Sequence, residues 1–129
     1  MTLVLDTNAY SAFRRDNQAA IDLLEEADEL IVPTIVVGEL LAGFLGGNRW
    51  EANWAGLLEF LGQPGVRLHQ LGLKEAEKYG MLVKNLRATG SPLPTNDLWI
   101  AATALALGAA VATRDAHFGT ISGLFVVSW

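Results

Sequence analysis

The sequence predicts an α/β domain built on a mostly parallel, five-stranded sheet with helices on both faces. Three observations carry that prediction. Short apolar runs alternate along the chain with longer stretches of helical periodicity. Runs such as LVL, ELIVP and AAVAT are mainly apolar rather than strictly alternating, as strands covered on both sides are. Two aspartates, Asp6 and Asp115, stand at or just beyond strand ends, where open parallel sheets place their ligands.

Each element has its own signal. LVL (3–5) is a short buried strand ending at Asp6, and a short helix follows from about Asn8 to Arg14. IDLLEEA (21–27) spaces its apolar residues helically, and ELIVP (29–33) is a second strand closed by Pro33. TIVVGELLAGFLGG (34–47) is long enough for a helix, which the paired glycines end. WEANWAGLLEFLG (50–62) is another amphipathic helix, and VRLHQL (66–71) alternates in period two as a third strand. KEAEKYGMLVKNLRATG (74–90) is the clearest amphipathic helix, followed by the loop SPLP (91–94). NDLWIAATALALG (96–108) is an alanine-rich helix, AAVAT (109–113) a fourth strand and FVVSW (125–129) a fifth.

The 129 residues, half of them apolar, suit one domain spanning 1–129, with no linker, repeat or low-complexity stretch. The absence of cysteine excludes disulfides and thiolate metal sites and fits a reducing cytosol. MTLVLDTNAY lacks the basic start of a secretion signal. The longest uncharged run, LWIAATALALGAAVAT (98–113), is shorter than the roughly 20 residues a bilayer span needs. A soluble cytoplasmic protein without membrane contact is expected. The net charge of −5 argues against a nucleic-acid partner unless carboxylates are gathered to hold cations, which would reverse the sign locally.

The placement of the acids therefore decides more than their number. Of 14, ten lie in polar or amphipathic stretches and are assigned to solvated faces or loops: Asp16, Asp22, Glu25, Glu26, Asp28, Glu29, Glu51, Glu59, Glu75 and Glu77. The other four, Asp6, Glu39, Asp97 and Asp115, abut or interrupt strongly apolar stretches. An unpaired charge there costs several kcal/mol, roughly, and a bound cation offsets that cost. A simpler account exists for three of them: Asp6 or Asn8 caps the first helix, Asn96 or Asp97 caps the alanine-rich one, and Asp115 starts a short turn around Ala116 to Phe118. Capping is not open to Glu39, which lies inside its helix in TIVVGELLAGF; its simpler account is a rim position that reaches solvent. A shared metal site accounts for all four, and oxygen-only ligands suit Mg²⁺ or Mn²⁺. His69, inside a strand, is assigned a structural role. His117, near Asp115, is a possible substrate contact with a structural role favoured. No GxxxxGK[ST] or GxGxxG fingerprint occurs.

LVLDTNAY, VPTIVVGELLAG, NDLWIAATALALG and VATRDAHFGTISGLFVV, in that order and spacing, resemble the PIN-domain family, and within it the VapC-type toxins of toxin–antitoxin pairs. The resemblance covers essentially the whole chain; each motif alone is weak, and the four in order are specific. It implies a three-layer sandwich with strand order 3-2-1-4-5 and a ribonuclease dependent on Mg²⁺ or Mn²⁺, with one or two ions. It carries the acidic, metal-binding roles onto Asp6, Glu39, Asp97 and Asp115. It matches Thr113 to a hydroxyl position beside the acids, and Asn8 and Asn96 to positions that support the site by hydrogen bonding. It also implies a homodimer silenced by a cognate antitoxin, whose helix lies in a groove and whose basic side chain enters the acidic site.

The expected reaction is hydrolysis of RNA phosphodiesters by metal-activated water, leaving a 5′-phosphate and a 3′-hydroxyl. Arg14, Arg15, Arg49 and Arg114 are candidate phosphate contacts, with Arg114 alternatively a structural partner of the acids. An RNA-processing member of the family without an antitoxin is one alternative. Another is a non-catalytic repressor partner whose acidic pocket only docks the antitoxin. A phosphatase with an aspartate nucleophile would need a second aspartate two residues after Asp6, where Asn8 stands.

Overall fold

The computed structural model describes residues 1–129. Five strands, β1 (Thr2–Leu5), β2 (Glu29–Pro33), β3 (Val66–His69), β4 (Ala110–Ala112) and β5 (Val126–Val127), form one sheet in the order β3-β2-β1-β4-β5. Every pairing is parallel, so the sheet is wholly parallel rather than mostly so. Six helices flank it: α1 (Thr7–Arg14), α2 (Gln18–Glu26), α3 (Thr34–Leu45), α4 (Trp50–Leu61), α5 (Leu73–Thr89) and α6 (Thr95–Leu107). A 3-10 helix, Ala116–Thr120, follows β4. The expected elements all form, with ends moved by a few residues; β5 is the most reduced, to two residues of the expected five.

The central strands explain the uniform apolar runs. Leu3, Val4 and Leu5 of β1 are almost fully buried although successive side chains point to opposite faces, so both faces are covered. Ile31 and Val32 of β2 and Val111 of β4 continue that core. The edge strand β3 does not show the alternation expected of it: Arg67 and Leu68 are both exposed, and Val66 and His69 are half-buried, because an edge strand is covered less than the centre of the sheet. No helix is long and apolar enough to cross a membrane.

The chain runs β1 to β2 to β3 in one direction across the sheet and then returns to place β4 on the other side of β1. The carboxyl ends of β1 and β4 therefore lie at the switch point, where open α/β sheets bind ligands. Leu5 pairs with Ala112, so Asp6 and Thr113 emerge side by side.

One acid departs from its sequence assignment. Glu75, expected on a solvated face, is buried, because its carboxylate pairs with the His69 ring at the end of β3 and accepts the Gly72 N–H at 3.1 Å. Burial pushes its pKa up, but the His69 bond and the backbone N–H groups of Glu75 and Gly72 outweigh this and hold it below the usual value. His69 has the structural role expected of it.

Candidate active site

Asp6 is fixed by backbone geometry and by two donors. It is the N-cap of α1, with its Oδ1 accepting from the Ala9 N–H at 2.8 Å. Its Oδ2 accepts from the Thr113 hydroxyl, and both residues are buried. The same Thr113 oxygen accepts the Asp115 N–H at 3.0 Å. One hydroxyl thus ties the acid after β1 to the acid after β4. Burial raises the Asp6 pKa; the Thr113 bond and N–H groups of Ala9 and Asn8 oppose this, and the nearby Asp115 charge adds to it.

Asp115 caps the 3-10 helix through the His117 N–H at 2.9 Å, and the same oxygen lies 2.8 Å from Nδ1 of the His117 ring. Phe118, fully buried, anchors that turn. His117 is thus a partner of Asp115 at the rim.

Asp97 is not a cap. The α6 N-cap is Pro94, which offers no side-chain bond, and Asp97 stands in the first turn. The capping account of Asn96 and Asp97 is therefore overturned: Pro94 turns the chain one residue before the helix begins at Thr95. Burial raises the Asp97 pKa most, followed by the charges of Asp115, Glu39 and Asp6 in that order, with His117 opposing. Four carboxylates from four separate chain segments thus share one electrostatic neighbourhood.

Glu39 sits on α3 between buried Val36 and Leu40, and its half-buried carboxylate accepts from the Thr7 hydroxyl at 3.2 Å. Val36 and Leu40 hold the apolar stripe against the core while the carboxylate turns to the start of α1. It does not point to bulk solvent. Gly38, with open space where a side chain would begin, keeps that face low. Thr7 had no assigned role in the sequence; its position inside DTN, between Asp6 and Asn8, is the signal that marks it.

The supporting asparagines behave differently from expectation. Neither Asn8 nor Asn96 makes a side-chain hydrogen bond to an acid: Asn8 is exposed, and Asn96 lines a shallow groove of about 570 Å³ together with Glu39. Arg114 is not a partner of the acids either. Its Nε donates to the Trp129 backbone oxygen at 2.8 Å. Arg14, Arg15 and Arg114 line two grooves beside α1, whereas Arg49 precedes α4 as its N-cap and lines neither.

The four acids do not form a closed ligand cage as they stand: no three acidic or histidine side chains are arranged to hold an ion. Hydrogen bonds from Thr113, Ala9, Thr7 and His117 occupy their oxygens instead. The donor set nevertheless fits a hard divalent cation. It is oxygen-only, and Asp97 is burdened by three neighbouring negative charges that a cation would offset.

The PIN domain model matches residues 3–124. "Ribonuclease VapC4" of Mycobacterium tuberculosis is 36% identical over 99 residues, 75% of each chain. The structure of VapBC2 from Rickettsia felis bound to a DNA fragment from their promoter superposes with a TM-score of 0.88 at 27% identity, covering 100% of this chain and 99% of that one. VapBC-1 from nontypeable Haemophilus influenzae gives a TM-score of 0.88 at 25% identity, covering 100% and 98%.

Proposed function

The chain belongs to the PIN-domain family, and from that premise we propose that it is an endoribonuclease, the toxin of a toxin–antitoxin pair, dependent on Mg²⁺ or Mn²⁺. The observation that carries the reading is the convergence of Asp6, Glu39, Asp97 and Asp115 on one neighbourhood at the sheet's switch point.

These four carboxylates would hold one or two ions. Bound there, a divalent cation supplies positive charge that lowers the pKa of a water and neutralises charge on the phosphate. The chain's own groups prepare that position. Thr113 and the Ala9 N–H fix the Asp6 carboxylate, Thr7 steadies Glu39, and His117 orients Asp115. Asp97, lacking a hydrogen-bond donor of its own, is the acid whose charge depends most on a cation. Water attack in line, with the 3′-oxygen leaving, gives a 5′-phosphate and a 3′-hydroxyl.

The partners follow from the same reading: an RNA substrate, a cognate antitoxin and a second copy of the chain. Exposed Leu45, Trp50 and Leu58 on α3 and α4 are apolar surface of the kind partners cover. Residues 1–129 act as one nuclease domain in the cytoplasm. The test is cleavage of RNA by purified, antitoxin-free protein with Mg²⁺ or Mn²⁺. Cleavage is expected to stop in chelator and in Asp97→Asn and Glu39→Gln; persistence in either variant would remove that residue from the site.

A further inference from the structure

Asn8, Ser11 and Ala12 recur at i, i+3 and i+4 and so share one face of α1, and Arg15, the residue that caps its C-terminal end, lines the same groove as they do. That face forms the wall of a groove of about 450 Å³, lined also by Asn17, Arg114 and Trp129. A second groove of about 350 Å³, with Tyr10, Arg14, Phe44 and Asn53, shares Ser11 and Arg15 with the first. Three of the chain's nine basic residues thus form one track, in a protein of net charge −5.

The cations on this track are free to take a ligand. The Arg67–Glu29 contact is the only pairing of a lysine or arginine with an aspartate or glutamate in the chain, so Arg14, Arg15 and Arg114 have no Asp or Glu partner. Arg114 spends only its Nε on the Trp129 backbone oxygen, and its guanidinium carbon lies 5.4 Å from the Trp129 ring centre. Its terminal nitrogens stay available beside an aromatic surface. Arg14 lies 5.9 Å over the Tyr10 ring, resting against Gly56, where a side chain would displace it.

In sequence the track adjoins the acids. Asn8 is two residues past Asp6, and Arg114 stands between Thr113 and Asp115. From Asn8 to Arg14, where the helix ends, the rise is about 9 Å, the scale of a neighbouring nucleotide.

We propose that the groove between α1 and Trp129 seats the RNA nucleotide next to the scissile phosphate. Arg15 and Arg114 take its phosphate, the Trp129 ring stacks its base, and the Asn8 and Asn17 amides face the base edge. Guanidinium, aromatic ring and amide side by side are the groups that bind single-stranded nucleic acid. An acidic protein segment would use the arginines but would have no need of the ring. The proposal rests on the ribonuclease reading and adds the position and recognition chemistry of the substrate.

The test measures fluorescence anisotropy of a short, mixed-sequence single-stranded RNA with the full chain in EDTA, across a salt series. Arg15→Gln is expected to weaken binding and to flatten the slope of log K against log salt by about 0.7, one phosphate contact. Trp129→Ala is expected to weaken binding roughly 5- to 150-fold, the loss of one stacked base, with Trp129→Phe retaining most of the affinity. Lys84→Gln on α5, removing the same charge elsewhere, is expected to leave the slope unchanged. Unchanged affinity and slope in both Arg15→Gln and Trp129→Ala would overturn the proposal. So would variants that weaken binding of an oligoglutamate peptide while sparing RNA, which would assign the groove to an acidic protein segment. Binding is read without metal, so it stands apart from cleavage: failure of the wild type to cut RNA with Mg²⁺ or Mn²⁺ counts against the nuclease reading and not against the groove.

Discussion

Thr113→Val isolates the hydroxyl that joins the two strand-end acids. Valine keeps the shape of threonine but removes the bond to the buried Asp6 carboxylate and the acceptor for the Asp115 N–H. A hydrogen bond to a charged group is worth about 1.5–3 kcal/mol and a neutral one about 0.5–1.5, so the pair amounts to roughly 2–4 kcal/mol. Thr113→Ser keeps the hydroxyl and loses one buried methyl, about 1 kcal/mol. At roughly 3–5 °C per kcal/mol for a domain of this size, valine is expected to melt about 6–20 °C below wild type and serine about 3–5 °C below. Thermal unfolding by circular dichroism in EDTA at neutral pH reads this directly. The sign with pH follows from Asp6, whose folded pKa is raised by burial above its ordinary 3.8. Such a group contributes stability that is fully present below 3.8 and lost as pH rises through the folded pKa. The Thr113 bond limits that loss, so the gap between valine and serine is expected to widen from acid toward neutral pH. A valine variant as stable as serine at neutral pH, or a gap that stays constant with pH, would refute the reasoning.

Phe118→Ala, which empties a fully buried position behind the Asp115 turn, is expected to cost about 3–5 kcal/mol and to lower cleavage with it, read by unfolding and RNA cleavage together. Glu75→Gln tests the carboxyl held below its ordinary 4.5. Its stability contribution is present above 4.5 and lost as pH falls through the folded pKa, so the variant is expected to be less stable at neutral pH and to converge on wild type in acid. Thr7→Val removes the hydroxyl that steadies Glu39, and is expected to cost about 0.5–1.5 kcal/mol of stability while lowering kcat more than it raises KM.

Much of this architecture is legible in the sequence because its signals are local. The buried strands announce themselves as uninterrupted apolar runs, and Pro33 and the glycines mark element ends. Glu39 stands out because a carboxylate inside an apolar helix has no local explanation. The contacts that complete the site were not legible, because they depend on which segments meet. Thr7 reaches Glu39 across 32 residues, and Thr113 reaches Asp6 across 107. Glu75 reads as a surface acid on its own helix until β3 brings His69 against it. For Asn96 and Asp97 a capping role stays open in the sequence until Pro94 takes that position. Arg114 sits beside Asp115 in sequence, yet it turns to Trp129, which β5 carries alongside β4.

The claim that the four acids form one cation site is tested most directly by thermal unfolding with Mn²⁺ and with chelator, for wild type and Asp97→Asn. Burial and the charges of Asp115, Glu39 and Asp6 raise the Asp97 pKa, so its negative charge destabilises the metal-free protein at neutral pH. Asp97→Asn is therefore expected to melt above wild type in chelator. Mn²⁺ at a hundredfold excess over its dissociation constant is expected to stabilise wild type by about 2.7 kcal/mol, and to give Asp97→Asn little or no rise. An equal Mn²⁺-induced rise in both proteins, or none in wild type, would contradict the account.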